Sequence, residues 1–445
     1  MKADRAAARA THPVGGADGA AVAGVAASAH EALPSNVSAT PPSEADAAWA
    51  WLAARRRSGR TRDPAVARAL LDRLGLADPP TVVHVVGTNG KGSVATALAA
   101  MATAAGLRSG CFVSPHVEHY RERIAVDGAH VGDGEVVAFT GRARALVAAG
   151  APEALAAGFF EWTLALALDV FADHGVDVAI VEAGVGARRD ATSALRNVRA
   201  SVVTNIDLDH LETLGPDIAS IAVDKSAALR PGVSTVTCAD GEGLAILRAE
   251  ALRIGATLVR CGADEPSCVL PTDAAAYGRA ARWPATRFDN VRMACAIARL
   301  LGWPEAAIAT GARAGPPPAR FERFVVDGVS VVLDGAHDPA AARRLAVDLP
   351  RDTVLLFGAL TRKQGAATLA ALAPHVSRVI VTSADVADAS GAWNADAHLA
   401  DPELALQTAL AWAGPGGTVA IAGSLYLAGR VRSVLRRATP ALGAV

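Results

Sequence analysis

The sequence lacks an apolar run of about 18 uncharged residues, the length that a helix needs to cross a membrane. It also lacks an excess of charge, since the formal net charge is −1. Nothing in its electrostatics favours a nucleic acid or an anionic membrane as partner. Its five cysteines form no CxxC pair and no disulfide framework, which favours a reducing compartment. We therefore expect a cytoplasmic protein without a nucleic-acid or membrane partner. We also expect a monomer.

Lysine is scarce as well. Lysine and arginine together number 43, yet the chain has only four lysines, Lys2, Lys91, Lys225 and Lys363. Arginine therefore stands at most positions where any surface cation is sufficient. The lysines that remain are candidates for work that needs a compact ammonium or a nitrogen that can be carbamylated.

With 445 residues, the chain has room for two or three domains. Residues 1–45 are rich in Ala, Gly, Pro, Ser and Thr, and we expect a disordered tail without the layout of a secretory signal. Short helices are predicted over 47–57 and 64–75. A Gly- and Pro-rich stretch, 311–318, is the natural linker, so we expect domains over 46–311 and 312–445.

The most informative stretch is 82–94, where a β-branched run leads into Gly87-Thr88-Asn89-Gly90-Lys91-Gly92-Ser93 and then an alanine-rich helix. Glycines allow the backbone to turn tightly, and a helix N-terminus attracts anions. Lys91 would supply a charge to the β- and γ-phosphates of a nucleotide, and Ser93 a hydroxyl ligand for Mg²⁺. The alternative is a strand-to-helix turn that binds nothing.

Polar residues follow two further predicted strands. Glu182 ends an apolar strand that begins near residue 177, and Asp209-His210 follow a strand over 200–206. Because ligands bind at the carboxyl ends of parallel strands, Glu182 suits Mg²⁺ and His210 is favoured as a second metal ligand over a packed or surface histidine. Lys225 lies in a helix predicted over 218–229.

These motifs resemble the folate branch of the Mur ligase superfamily, the folylpolyglutamate and dihydrofolate synthases. The resemblance runs from about residue 50 to the C-terminus, and its motifs come in family order. They include HVVGTNGKGSV from His84, SPH followed by ERI from Ser114, DAT from Asp190, DGAHDP from Asp334 and GSLYLAG from Gly423. In the fourth motif Asp338 replaces the family's asparagine, and of the family's DKD motif only Lys363 remains. The implied fold is α/β, with a P-loop NTPase-like, mostly parallel sheet domain followed by a smaller Rossmann-like α/β domain.

The resemblance also implies residue roles. Lys91, His210 and Lys225 would be catalytic. Two Mg²⁺ ions would be held by Ser93, Glu182, His210 and a carbamylated Lys225. ATP would contact Thr88, Asn89, Gly90, Lys91, Gly92, Ser93, Asn290, Arg320, Asp334 and His337. The pterin-bearing substrate and glutamate would contact Ser114, Pro115, His116, Arg123, Glu161, Asp190 and Ser424. For Glu161 an equal alternative is a partner for its helix N-terminus.

The implied reaction is ATP-dependent ligation of L-glutamate to the carboxylate of dihydropteroate, of a reduced folate, or of both, through an acyl phosphate. Two alternatives stay open from the sequence. One is a Mur-type ligase that acts on another carboxylate, such as a cell-wall precursor. The other is a non-catalytic paralogue that only binds a nucleotide or pterin.

Overall fold

A computed structural model describes residues 43–55, 62–262, 265–360, 364–383 and 393–438. Most of the predicted tail, and the prediction for Lys363, fall outside these ranges. The described residues all belong to one compact unit, Thr40–Val445. No helix among them is long and apolar enough to cross a membrane.

The first sheet has eight strands, ordered 4-3-2-5-1-6-7-8 along its width. Six of them run parallel, and the third and fourth form an antiparallel hairpin at one edge. The strands are β1 Thr81–Val86, β2 Ser109–Phe112, β3 Ile124–Val126, β4 Ala129–His130, β5 Val178–Glu182, β6 Val198–Val203, β7 Ser234–Thr237 and β8 Thr257–Arg260. This mostly parallel sheet confirms the predicted fold class.

Helices cover both faces of this sheet, so its central strand β1 is apolar on each side. Val82 packs on one face, with the helices around Trp162, and Val83 and Val85 pack on the other, with those around Met101. The sequence of a strand that is buried on both faces is typically a run of β-branched residues. The sequence of β1 has this pattern except at His84. The helices are α1 Glu44–Ala53, α2 Pro64–Leu74, α3 Lys91–Ala104, α4 Asp133–Ala148, α5 Pro152–Ala156, α6 Phe159–Asp173, α7 Leu211–Leu214, α8 Ile218–Lys225, α9 Gly241–Ile254, α10 Thr272–Ala280, α11 Ala285–Leu300 and α12 Glu305–Ala312.

The second sheet follows α12 and has six strands, in the order 13-12-11-14-10-9. Only the edge pair of its first two strands is antiparallel. Its elements are β9 Glu322–Val326, β10 Val329–Leu333, α13 Pro339–Val347, β11 Val354–Phe357, α14 Gly365–Leu372, β12 Arg378–Val381, β13 Ala397–His398, α15 Pro402–Ala413, β14 Thr418–Ala422 and α16 Leu425–Ala438. Two apolar clusters lie on its two faces.

Local sequence signals set several boundaries, and the structure corrects others. Asp63 accepts a hydrogen bond from the Ala65 N–H and Gly75 adopts a left-handed conformation, so α2 begins and ends where the sequence predicts. Helix α1 spans 44–53 rather than 47–57, because Ser43 caps it through the Asp46 N–H. The helix predicted over 218–229 ends at 225 and continues only as a 3₁₀ turn over 226–228.

The cysteines also differ from expectation. Cys261 and Cys268 form a disulfide, with Cα atoms 5.6 Å apart. The sequence analysis expected no disulfide framework, and it did not identify this single pair. Their separation of seven residues matches no pattern typical of a disulfide framework. They meet because the chain turns back after β8, into the short 3₁₀ turn Pro266–Cys268.

A buried cation joins the two sheets. The Arg432 guanidinium on α16 pairs with Glu322 of β9 at 2.8 Å and also with Glu118, which lies in the loop after β2. All three side chains are at most 18% exposed. The contact is close, because a Cβ on Gly429 would lie 2.2 Å from the Val117 carbonyl oxygen. We call Glu118, Glu322 and Arg432 the clasp.

Candidate active site

The turn between β1 and α3 is held rigidly against the end of β6. The Thr88 N–H donates to the Asn205 carbonyl at 3.0 Å, and the Asn89 N–H donates to the Asn205 side chain at 2.8 Å. The Thr204 hydroxyl donates to the Asn89 carbonyl at 2.6 Å. Gly87 has a φ of +145°, and a Cβ there would lie 1.8 Å from the Thr204 hydroxyl oxygen. Only glycine fits at that position.

Two polar atoms of this turn region have no partner. The side-chain amide nitrogens of Asn89 and Asn205 are buried without a hydrogen-bond acceptor among the described residues. A buried polar group without a partner costs about 1–3 kcal/mol, so such groups commonly mark a site for a ligand or water. Asn290 of α11 packs on the same turn, since a Cβ on Gly90 would lie 2.4 Å from its Oδ1. The structure therefore brings Asn290 to the predicted phosphate loop.

Glu182 lies at the end of β5, directly beside this turn. Its side chain is 3% exposed, its Oε2 accepts the Ser114 N–H at 3.0 Å, and its Oε1 lies 3.9 Å from the Lys91 Nζ. Burial raises the pKa of its carboxyl group, while Lys91 opposes this shift. A Cβ on Gly92 would lie 3.3 Å from Oε2, so the small residue leaves room around the carboxylate. A buried acid with one ammonium nearby is suited to a hard cation.

Lys225 lies at the end of α8 and is 2% exposed. Its Nζ donates to the Gly87 carbonyl at 2.8 Å, which places it beneath the same turn. Burial, together with the nearby Lys91, lowers its pKa to about 7 against the attraction of Asp209. At neutral pH much of this amine is therefore uncharged and nucleophilic.

We expect the Lys225 amine to titrate near pH 7 in buffer free of carbon dioxide, protonated below that pH and neutral above it. The chain has only four lysines. A sample labelled with ¹³C at lysine Cε therefore gives few NMR signals, and the signal lost in the Lys225→Gln variant identifies the residue. A midpoint near the ordinary lysine value of about 10.4 would contradict the burial that we describe.

His210 follows the end of β6 in a left-handed conformation, with a φ of 52°. Its Nε2 lies 3.4 Å from the Asp209 Oδ2, and its side chain is 37% exposed. The predicted metal set of Ser93, Glu182, His210 and Lys225 thus comes from the loop ends of neighbouring strands and from α8. Its coordination of ions stays a prediction.

The second sheet contributes to the same region. Asp334 directly follows β10, and its two oxygens accept the Phe321 and Ala336 N–H groups, each at 2.8 Å. Burial raises its pKa, while Arg320 opposes the shift. A Cβ on Gly335 would lie 2.5 Å from an Arg320 nitrogen, so that residue must be small to admit the guanidinium. Asp334 therefore shapes the turns that carry Arg320 and His337, two predicted nucleotide contacts.

The predicted substrate residues lie along the other side of β5. Ser114-Pro115 is a cis peptide. The Arg123 Nε donates to the His116 Nδ1 at 2.9 Å, and burial, with the neighbouring Arg123, lowers the His116 pKa to about 2. Arg123 also lies over the Phe159 ring, 5.1 Å from its centroid. Side-chain contacts therefore hold this loop in place, and its His116 is neutral. The loop is not a solvated charged segment.

Glu161 and Asp190 each fix a local turn. Glu161 accepts the Gly158 N–H at 3.0 Å and so caps α6, as its alternative interpretation predicted.

Asp190 accepts the Val185 N–H at 2.9 Å and the Thr192 hydroxyl at 2.7 Å. His84, buried in β1, lies 2.8 Å from that hydroxyl. Because the hydroxyl donates to Asp190, the His84 Nε2 carries the proton, and His84 is a supporting residue that the sequence analysis missed.

A cavity of about 540 Å³ opens between α3, the loop after β2 and the segment that leads into the second sheet. Gly92 of α3 and Glu182 of β5 line it on one side, Ser114 and Pro115 line it from the loop, and Arg320 lines it from the segment before β9. The Ser424 hydroxyl, by contrast, accepts the Tyr426 N–H at the start of α16. Residues of both sheets therefore face one cleft.

The chain is similar to known proteins in both sequence and fold. Residues 319–425 match the family model described as "Mur ligase, glutamate ligase domain". The dihydrofolate synthase/folylpolyglutamate synthase of Escherichia coli is 31% identical over 318 residues, which cover 67% of this chain and 72% of that protein. A probable bifunctional folylpolyglutamate synthase/dihydropteroate synthase of Haloferax volcanii is 34% identical over 408 residues, 83% of this chain. The chain spans about half the length of that relative, 48%.

Solved structures are also similar. The Escherichia coli FolC structure in complex with DHPP and ADP has a TM-score of 0.74 and 27% identity, over 88% of this chain and 97% of that one. The bifunctional folylpolyglutamate synthase/dihydrofolate synthase of Yersinia pestis, complexed with AMPPNP and Mn ion, has a TM-score of 0.74 and 26% identity, over 89% and 100%.

Proposed function

Since the chain belongs to the dihydrofolate synthase/folylpolyglutamate synthase family, we propose that it joins L-glutamate to the carboxylate of dihydropteroate, of a reduced folate, or of both, using ATP. One observation carries this proposal. Glu182 at the end of β5 and Arg320 in the segment before β9 line a common cleft, and the Lys91 Nζ lies 3.9 Å from Glu182. A reaction between anions needs such convergent cations and an enclosed site.

The proposed reaction has two steps. A carboxylate oxygen of the pterin substrate forms a bond to the γ-phosphorus of ATP, the bond from that phosphorus to the β–γ bridging oxygen breaks, and ADP leaves. The amine of glutamate then forms a bond to the acyl carbon, and the carbon–oxygen bond to the phosphate breaks. The amine loses a proton and inorganic phosphate leaves. Both steps depend mainly on positioning and on charge neutralisation.

Different residues of the chain would bind the different parts of the substrates. The Lys91 ammonium would contact the β- and γ-phosphates, and Arg320 would approach them from the second sheet. Asn290, beside Gly90, would contact the adenine. The loop that starts at Ser114 would bind the pterin substrate. The segments 46–311 and 312–445 would then act as the ATP-binding and glutamate-ligase domains.

Divalent ions fit the residues that are present. Glu182 is a buried carboxylate beside the Ser93 turn, and oxygen ligands of this kind are those that Mg²⁺ prefers. Ser93 and Glu182 would hold one ion, and His210 with a carbamylated Lys225 a second. Such ions would neutralise charge on the phosphate oxygens. The lowered pKa of Lys225 supports carbamylation, because only the neutral amine forms a bond to the carbon of CO₂.

A panel of carboxylate substrates tests the proposal. With ATP, Mg²⁺ and L-glutamate, we expect ADP and phosphate to form when dihydropteroate or tetrahydrofolate is present, and the product to gain one glutamyl residue by mass spectrometry. Omission of glutamate should stop amide formation. Turnover on UDP-muramoyl peptides alone would indicate a different Mur-type ligase. Absence of ATP-dependent product from the whole panel would favour the non-catalytic alternative.

A further inference from the structure

Three metal-ligating side chains meet where the two sheets approach each other. Asp209 follows β6 of the first sheet, and His337 and Asp338 precede α13 of the second. Their candidate ligand atoms all lie within 4.8 Å of one another. Ligand bonds of about 2.0–2.2 Å place atoms at most about 4.4 Å apart around one ion, so small movements would close this set. The set shares no ligand with the Mg²⁺ sites proposed above, but it borders the proposed active site, since His337 is a predicted nucleotide contact and Asp209 pairs with His210 at 3.4 Å.

We propose that Asp209, His337 and Asp338 bind a divalent first-row transition-metal ion of the Mn²⁺ or Zn²⁺ class. One imidazole nitrogen and two carboxylate oxygens suit these ions better than they suit Mg²⁺ or Ca²⁺, which prefer oxygen alone. Water would complete the coordination. The ion would join the two sheets through residues from each of them.

The orientation of Asp338 gives the first argument. Its Oδ1 accepts the Ala340 and Ala341 N–H groups at 2.9 and 2.8 Å and so caps α13. Its Oδ2 is buried without a hydrogen-bond partner among the described residues, in a side chain only 3% exposed. A buried carboxylate oxygen without a donor is costly, and a cation removes that cost. Oδ2 is thus the oxygen available to an ion.

The state of His337 gives the second argument. Its Nδ1 lies 2.9 Å from the Gly335 carbonyl oxygen. A carbonyl only accepts hydrogen bonds, so Nδ1 carries a proton, and Nε2 is the nitrogen that would bind an ion in the neutral imidazole. An imidazole that donates one N–H to a backbone carbonyl is the orientation usual in metal-bound histidines. The Gly335 carbonyl therefore orients the His337 ring as a metal ligand needs it.

An anion is the competing occupant, because the N-terminus of α13 carries a partial positive charge. That effect amounts to about 0.3–1 kcal/mol at an exposed terminus. Two carboxylates within 4.8 Å of each other repel an anion more strongly than this at any effective dielectric of the protein interior. The related motif has asparagine at position 338, which would supply no second charge. The acid here therefore favours a cation.

The test is a Mn²⁺ titration of the nucleotide-free protein without a histidine tag, followed by EPR of the unbound ion. We expect the Asp338→Asn variant to lose one Mn²⁺ site per chain, or to bind that ion at least 10-fold more weakly. Asparagine keeps the capping oxygen, so α13 should remain folded. Asp209→Asn, which changes the opposite side of the cluster, should cause the same loss.

Asp401→Asn is the matched control. Asp401 also caps a helix of the second sheet that has proline at its first position, and it accepts the Glu403 N–H at 3.0 Å. This variant should bind as many Mn²⁺ ions as the unchanged protein. Equal Mn²⁺ binding by the unchanged protein and both cluster variants would overturn the proposal. The experiment uses neither ATP nor a substrate, so its outcome is independent of the proposed ligase activity.

Discussion

Replacement of Lys91 by alanine is expected to lower the rate of ATP-dependent glutamate ligation by about 10²–10³-fold or more, the usual effect of removing one group that stabilises developing charge. Lys91 begins α3, and its Nζ lies 3.9 Å from the buried Glu182 and 3.1 Å from the Thr88 carbonyl. An alanine there would leave phosphate charge and Glu182 without that ammonium. Phosphate release and glutamyl product, measured together, give the rate.

Arg73→Ala is the control for this variant, since Arg73 is an exposed cation on α2. Its rate should stay within twofold of the unchanged protein. A Lys91→Ala rate within a few-fold of the unchanged one would refute the role of Lys91. Product from neither protein would instead point to the non-catalytic alternative.

The second large effect concerns the clasp. Arg432→Ala should lower the free energy of unfolding by about 3 kcal/mol, the lower end of the range for breaking a buried ion pair, since Arg432 is 13% exposed. The loss arises because Glu118 and Glu322 would remain poorly solvated without their common cation. Urea denaturation followed by circular dichroism measures it.

Arg430→Ala is the matched control, because Arg430 lies two residues earlier on α16 and is exposed. Its effect should stay within about 0.5 kcal/mol. Equal destabilisation by the two variants would mean that general packing of α16, rather than the clasp, stabilises this contact. A double variant of Glu118 and Arg432 should lose less than the sum of the single changes, since both single changes remove the same Glu118–Arg432 contact.

The sequence predicted the parts of this fold that local signals determine. The β-branched run before Gly87 predicted β1, and Asp63-Pro64 with Gly75 predicted both ends of α2, because capping depends on neighbouring residues. Glu182 was recognised at the end of β5 because a short apolar run predicts a buried strand. His210 lies beyond β6, which ends at Val203 rather than at the predicted residue 206. The resemblance to a family then assigned roles that spacing alone does not give.

What the sequence could not predict depends on distant pairs. Arg432 and Glu118 are 314 positions apart, and nothing local to either residue indicates its partner. Asp209 and Asp338 likewise meet only once both sheets are folded. His84 resembled an ordinary strand residue until its contact with Thr192 appeared. A histidine within a buried β-branched strand is nevertheless a usable signal, since a buried polar ring needs a partner.

Asp207 contacts both the first and the second half of the molecule. Its backbone N–H donates to the Thr88 hydroxyl at 3.0 Å, and its carboxylate lies 3.3 Å from the Arg344 guanidinium on α13. Asp207 thus contacts both the turn between β1 and α3 and helix α13, which belongs to the second sheet. Loss of the Asp207 carboxylate would therefore remove its ion pair with α13, while its backbone contact with Thr88 would remain.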